Sequence, residues 1–220
     1  MGKNANKKAK FKPIVFEIRK DVFKKALGNV LKHKSNEPGT ILNSVKFEVA
    51  NNCLYMASTD GSTLLESKIQ LEETIEKDVE TVLRGEFLEK MRLNNAYEFS
   101  RKTAFKPLDR LEITINEYNT IIADIRNNIK YEIPALDSEK TGQYPNYRKL
   151  IPKNNKKSVQ KVCVNSRKLA KFAKCGGDNK DPLVITTNPT RPLSVILIES
   201  EAKNAMTTYT GLLMPMQQRN

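Results

Sequence analysis

The sequence predicts an α+β fold built from repeated strand-helix-three-strand half-units. Three observations predict it. Runs of alternating or β-branched apolar residues are separated by short turn signals, the pattern of strands joined by hairpins. Between them lie short segments whose apolar residues recur at helical spacing. The order strand, helix, three strands then occurs three times, at a period of roughly 65 to 70 residues. The repeat is one of architecture, with no clear sequence identity between the copies.

The elements follow in order. Residues 1–13 carry Lys3, Lys7, Lys8, Lys10 and Lys12 with no acid and little to bury, and read as a disordered basic arm. Pro13–Ile18 is a short strand. Asp21 is a candidate N-cap, and Val22, Phe23, Ala26, Leu27, Val30 and Leu31 then mark a helix ending near Lys34. Ser44–Ala50, Cys53–Thr59 and Leu65–Gln70 are strands, with turn signals at Asn51-Asn52 and Asp60-Gly61. The second unit has a strand at Val79–Arg84 and a helix at Glu86–Leu93 with Phe87, Leu88 and Met91 on one face. Strands Ala96–Arg101, Leu111–Asn116 and Thr120–Ile133 follow, the last long enough to be two with a turn at Asn127-Asn128. A Pro-punctuated connector, Tyr144–Pro152, leads to a third unit. It has a strand at Lys161–Val164, a helix capped by Asn165 or Ser166 and running to about Lys174, a stop at Cys175-Gly176-Gly177, and strands Leu183–Thr187, Leu193–Glu199 and Ala205–Met214. The domain organisation is therefore an arm (1–13), a domain of two half-units (14–143), a linker (144–157) and a half-domain with a C-terminal tail (158–220).

The net charge of +13 is unevenly placed. The arm carries +5, residues 140–180 carry +11 with Asp178 as the only acid, and the remainder sums to −3. A near-neutral body with a basic arm and a basic second half is the electrostatic footprint of a polyanion binder, most often nucleic acid. For the arm alone, a solubility tail is an equal reading. On a wheel of about 100° per residue, Arg167, Lys171 and Lys174 fall within about 60° of one another, opposite Leu169, Phe172 and Ala173. Such a stripe suits sequence-independent phosphate contact. Lys25 and Lys32, on the solvent side of the first helix, join it as candidate DNA-binding residues.

Composition excludes other classes. No window approaches the roughly 18–20 apolar residues of a membrane span, and the N-terminus lacks the apolar run of a secretory signal. Cys53, Cys163 and Cys175 form no close pair, which points to a reducing, cytoplasmic setting and to Cys163 and Cys175 as core or helix-end thiols. The single histidine, His33, reads as a solvated helix-end residue and excludes a multi-histidine metal site. Asp60 reads as a turn residue. There is no phosphate-cradling Gly-rich loop, metal cluster or nucleophile–base pair, so the expectation is a non-catalytic protein without a cofactor.

The connector Tyr144-Pro-Asn-Tyr-Arg-Lys-Leu-Ile-Pro152, the hairpin Ala57-Ser-Thr-Asp-Gly61 and the ending Leu212-Leu-Met-Pro-Met216 resemble the bacterial sliding clamp, the beta subunit of DNA polymerase III. Residues 14–143 resemble its middle domain, the connector its linker, and residues 158–216 the second half of its last domain. The resemblance implies the DNA clamp fold, with antiparallel sheets outside and helices on one face lining a hole through which DNA passes. It also implies a peptide pocket made by Leu27, Thr59, Gly61, Thr63 and Leu64, by Pro145, Lys149 and Leu150 of the connector, and by Leu212, Met214, Pro215 and Met216 of the tail. Read without the resemblance, Met214-Pro215-Met216 is a last edge strand whose methionines fill the core.

The chain also departs from the family. It has three half-units against six, Ser62 and Thr63 follow Asp60-Gly61, the tail continues Gln217–Asn220, and the charge is +13 where clamps tend to be acidic. A ring would need four chains, and two lone half-units from different chains could pair about a twofold axis. The expected function is that of a processivity factor. It binds double-stranded DNA non-specifically as a homo-oligomer and tethers DNA polymerase or other clamp-binding proteins. The alternative is a regulator or adaptor that binds replication proteins without encircling DNA.

Overall fold

The computed structural model describes residues 11–93, 109–151, 164–172, 184–186, 196–201 and 207–215. The first half-unit comprises β1 (Ile14–Arg19), α1 (Lys20–Val30), β2 (Ser44–Ala50), β3 (Cys53–Thr59) and β4 (Thr63–Gln70). The second comprises β5 (Val79–Arg84), α2 (Gly85–Lys90), β6 (Arg110–Ile115), β7 (Asn119–Asp124) and β8 (Ile129–Pro134). One helical turn, α3 (Ser138–Thr141), precedes the connector. The third half-unit contributes α4 (Ser166–Leu169), β9 (Val184–Thr186), β10 (Ile196–Glu201) and β11 (Thr207–Leu213). The expected strand Ala96–Arg101 and the expected strand residues Lys161–Cys163 lie outside the described residues, and Val164 is not in a strand.

Turn chemistry places the hairpins where the sequence predicts them. Asn51 and Asn52 both take positive φ (51° and 56°), the backbone a two-residue hairpin turn needs, and Asn128 does so at 50°. The helices are shorter than periodicity suggests. The Ser58 hydroxyl donates to the carbonyl of Val30, satisfying one orphan acceptor at the end of α1. The chain then tightens into a 3-10 turn over Leu31–His33. Asp21 is not the N-cap. Arg19 occupies that position with extended backbone, and Asp21 sits in the first turn, paired with the Arg19 guanidinium at 2.8 Å. A carboxylate there also opposes the positive end of the helix dipole. α2 ends at Lys90, short of Leu93. α4 gives way after one turn to a 3-10 segment, Ala170–Phe172.

The half-units exchange their first strands. β1 pairs antiparallel with β6 of the second half-unit, and β5 pairs antiparallel with β2 of the first. The orders β1-β6-β7-β8 and β5-β2-β3-β4 are thus the same arrangement twice. The two sheets meet at a bridge between Leu83 and Ala135. Placing Arg19 on Arg84 exposes a likeness that the sequence did not declare. Ile18-Arg-Lys-Asp21 corresponds to Leu83-Arg-Gly-Glu86, and each arginine caps its helix and pairs with the acid two residues on. The caps at 19, 84 and 165 are 65 and then 81 residues apart, because the connector intervenes before the third.

The third half-unit does not stand alone. β11 pairs with β4 along its whole length, Thr207 with Ile69 through Leu213 with Thr63. This gives a seven-stranded sheet, β5-β2-β3-β4-β11-β10-β9. Side-chain alternation separates its faces. Leu65, Ile69, Ile196, Ile198, Tyr209 and Leu213 face the main core with Phe23, Leu27, Val30 and Phe172. Ala57, Leu64, Leu197 and Leu212 face the opposite way, under Tyr147 of the connector. α1 and the 170–172 turn therefore pack on one face, and the connector straps the other. Among the described residues no helix is long and apolar enough to cross a membrane.

Candidate functional site

The helix face comes first. α1 buries Phe23, Ala26, Leu27 and Val30 and exposes Lys24, Lys25 and Gly28, a clean amphipathic division. Lys32 is exposed just beyond it, its ammonium donating to Asn29 Oδ1 at 2.9 Å. Lys20, the first residue of α1, is buried and meets buried Asp124 at 2.5 Å, tying α1 to the end of β7. No sequence pattern marked that pair, because its partners are more than a hundred residues apart.

In the third half-unit Asn165 Oδ1 accepts from the amides of Arg167 and Lys168, so of the two caps that the sequence offers, Asn165 and Ser166, it is Asn165 that serves. Arg167 is exposed. Lys171 is engaged elsewhere: its ammonium lies 2.8 Å from Asp60 Oδ2, so the stripe inferred from a regular wheel is broken by the switch to a 3-10 turn. Lys174 lies outside the described residues. The other Asp60 oxygen accepts from the amides and hydroxyls of both Ser62 and Thr63. Burial pushes the Asp60 carboxyl up, but the Lys171 ammonium and those donors outweigh it and hold it well below the usual range. The departure from the family at Ser62 and Thr63 thus has a structural purpose: both side chains close the turn on Asp60.

His33 is not solvated. It is fully buried, with its ring 4.5 Å from that of Phe172 and tilted at 49°. Neither ring nitrogen makes a well-formed hydrogen bond among the described residues. Burial, then the nearby Lys171 charge, lowers its pKa to about 3, so the ring is neutral. An open cleft of about 770 Å³ beside it is lined by Lys32, Lys34, Glu37, Asp60, Glu89 and Lys171, a mixture of signs and not an anion cradle.

The opposite face holds the other set of candidate residues. Leu64 and Leu212 are register partners on β4 and β11 and share an apolar cluster with Tyr147, flanked by Tyr144 and Ile151. Leu150 and Met214 are 56% and 45% exposed, so Met214 is not the core methionine of the alternative reading. Pro145 and Lys149 are exposed and Pro215 is half-buried. Thr59 and Thr63 are buried turn residues: the Thr59 hydroxyl donates to the Thr63 carbonyl and accepts from the Gly61 amide. Gly61 takes a φ of +83°, which favours glycine there. Leu27 is apart from this group, in the main core with Phe23 and Phe172. Met216 lies outside the described residues.

The connector is held by residues that sequence reasoning did not single out. Arg148 places Nε 3.0 Å from Glu66 and an Nη 2.6 Å from Glu48, with its guanidinium 4.7 Å from the centre of the Tyr55 ring. The Tyr147 hydroxyl donates to Glu66 at 2.5 Å. Burial first, and the Glu66 charge second, push the Tyr147 hydroxyl up. Burial disfavours the charged form of Arg148, but the Glu48 bond, Tyr147 and Glu66 more than compensate and raise its pKa. The signal was present as Lys46/Glu48 on β2 and Glu66/Lys68 on β4, the two strands that flank β3, opposite a Tyr-Arg-Lys connector.

No protein-family model matches the sequence, and no curated protein matches it. Solved structures do match. The chain is similar to the DNA polymerase III subunit beta of Borrelia burgdorferi, solved with a natural product. The TM-score is 0.68 at 16% identity, covering 98% of this chain and 67% of that one. It is similar to the H. pylori beta clamp in complex with diflunisal, with a TM-score of 0.66, 15% identity, and 97% and 69% coverage. It is similar to the DNA polymerase sliding clamp of Bacillus subtilis, with a TM-score of 0.54, 17% identity, and 98% and 52% coverage. The chain therefore has the sliding-clamp fold, over half to about two thirds of the length of these proteins.

Proposed function

We propose that the chain is a non-catalytic, clamp-like DNA-binding protein of the cytoplasm. It contacts duplex DNA through the helix face without reading its sequence, and it tethers DNA polymerase or other clamp-binding proteins as a homo-oligomer. The observation that carries this reading is the common face of α1 and α4. Lys24, Lys25 and Lys32 and, across the β4–β11 seam, Arg167 project from helices packed on one side of a single sheet. Exposed cations held on a rigid surface suit phosphate contact, and the connector, with its ion pairs, lies on the other side. Lys171 supports this face indirectly, by fixing the 170–172 turn to Asp60.

The test is duplex DNA binding by fluorescence anisotropy across a salt series. Each neutralised phosphate contributes a slope of about −0.9 to log K against log salt. The triple variant Lys25→Glu, Lys32→Glu, Arg167→Glu should weaken binding and flatten the slope by about three units, equally for unrelated sequences. A flat wild-type response, or an unaffected variant, overturns the DNA reading. A second reading, an adaptor that binds replication proteins without encircling DNA, is favoured by exposed Leu150 and Met214 beside the Leu64–Leu212 cluster. An apolar patch with a flexible methionine suits a short peptide. Binding of a clamp-docking peptide, lost in Met214→Asp, with no DNA binding would select it.

A further inference from the structure

The last strands of two half-units pair with each other in this chain. β4 closes the first half-unit and β11 the third, and they run antiparallel from Thr63–Leu213 to Ile69–Thr207. β8 is the last strand of the second half-unit, and no described strand pairs with its outer edge. The equivalence of β4 and β8 extends to backbone bonds. Leu71, just beyond β4, donates its amide to the Asn52 carbonyl, and Ala135, just beyond β8, donates to the Tyr118 carbonyl. With Leu71 matched to Ala135, residues 127–133 correspond to 63–69, the stretch of β4 that takes β11.

Backbone groups alternate in direction along a strand. Ala135 turns to β7, so Ile133, Tyr131 and Ile129 do the same, and Lys130 and Glu132 turn their amides and carbonyls outward. β5 meets this edge only past Pro134, where the Leu136 amide donates to the Val82 carbonyl. Lys130 and Glu132 are exposed on one face of β8. Ile129, 41% exposed, shares the other with half-buried Tyr131 and buried Ile133. Asn119 Nδ2 donates to Glu132 Oε1 and steadies that carboxylate.

These side chains make the edge self-complementary. About a twofold axis through Tyr131, an antiparallel copy sets Lys130 against the partner's Glu132 and Glu132 against the partner's Lys130. On the other face Tyr131 meets the partner's Tyr131, and exposed Ile129 is covered by the partner's Ile133. Opposite charges directly across such a pair stabilise it and like charges oppose it. A slip of two residues sets Lys on Lys or Glu on Glu, as parallel pairing in register does. Edge charges guard against promiscuous pairing; this spacing guards against other registers and admits its own copy.

We infer that β8 pairs with β8 of a second copy of this chain, joining the two β1-β6-β7-β8 sheets into one. The interface is isologous. The inference rests on the homo-oligomer part of the proposed function and not on DNA contact.

The test is the solution mass of the full chain, by light scattering after size exclusion without DNA. Salt is held at about 0.15 M, where charges more than about 8 Å apart are largely screened and touching pairs still act. At high micromolar concentration the wild type should show twice the 25.0 kDa of one chain, or a higher even multiple. Glu132→Lys sets Lys against Lys and should halve that mass with an unchanged circular dichroism spectrum, and so should Lys130→Glu. Mixing the two single variants should restore the pair, because one strand then carries only cations and the other only anions. The double variant Lys130→Glu, Glu132→Lys exchanges the charges within the strand and should pair with itself as the wild type does. A monomeric wild type overturns the inference together with the homo-oligomer reading. A wild-type oligomer whose mass neither single variant lowers overturns the β8 pairing alone. Single variants that stay monomeric when mixed overturn it as well, since the Lys130–Glu132 register then has no part in the association.

Discussion

His33 offers a clean measurement because it is the only histidine in the chain. In the unfolded chain its pKa is about 6.5; in the folded protein burial against Phe172 and the nearby Lys171 charge lower it to about 3. The sign follows from proton counting. Below pH 6.5 the unfolded state binds a proton that the folded state refuses, so stability falls as pH falls. Nothing is lost above pH 7.5. Integrating from there to pH 5 gives a loss of about 2 kcal/mol, with a limiting slope near 1.4 kcal/mol per pH unit. Asp60, Asp21 and Asp124 are all held below their ordinary carboxylate value and so lose stability only near pH 4 and beneath. The window from 7.5 to 5 therefore isolates the histidine from these three groups.

The assay is urea unfolding followed by circular dichroism at pH 7.5 and pH 5, for the wild type and for His33→Leu. The wild type should lose about 2 kcal/mol across that interval. His33→Leu places a non-titrating side chain against Phe172 and should remove the difference, whatever its effect at neutral pH. A wild type equally stable at both pH values would refute the buried neutral ring. So would a folded-state His33 titration centred near 6.5 by carbon NMR.

Three further predictions concern the packing that aligns the two faces. A Cβ on Gly211 would fall 2.3 Å from Phe172 Cε1, so Gly211→Ala should cost about 1–3 kcal/mol by urea unfolding, by overpacking. Phe172→Ala should cost about 3–5 kcal/mol, and in the double variant the clash is gone, so the two costs should fall short of adding. Removing either member of the Lys20–Asp124 pair leaves a buried charge, so Lys20→Met or Asp124→Leu should each cost about 3–5 kcal/mol. The double apolar variant should be more stable than either single one, and the same denaturation series checks this. Arg148→Ala frees Glu48 and Glu66 beneath the connector; because Arg148 is partly solvated, the loss should be about 1 kcal/mol, shrinking with salt. Faster hydrogen exchange confined to residues 144–151 should accompany it.

What the sequence could express was local. Hairpin turns at Asn51-Asn52 and Asn127-Asn128, the buried stripe of α1 and the Asn165 cap each depend on residues within a few positions of one another, and all are found where periodicity and turn chemistry put them. Helix ends were misjudged where a distant group decides them, as the Ser58 hydroxyl does for Val30. His33 was misread for the same reason. Its neighbours in sequence are Lys32 and Lys34, which suggest solvent, but its neighbour in space is Phe172, delivered by β11 docking on β4. The candidate cations divide along this line as well. Lys25 belongs to a regular helix whose exposed side can be counted, and Lys32 stays exposed in the short 3-10 turn that continues it, whereas Lys171 lies in a turn that rotates it onto Asp60.

The exchange of first strands was the least legible feature and has the largest consequence. β1 and β5 carry no mark that they leave their own half-unit, because an antiparallel edge asks only for alternation, which any neighbouring strand can supply. The exchange makes each half-unit incomplete without a counterpart. Two half-units within residues 14–134 meet that requirement by trading β1 and β5. The third half-unit instead extends the first, by seating β11 on β4.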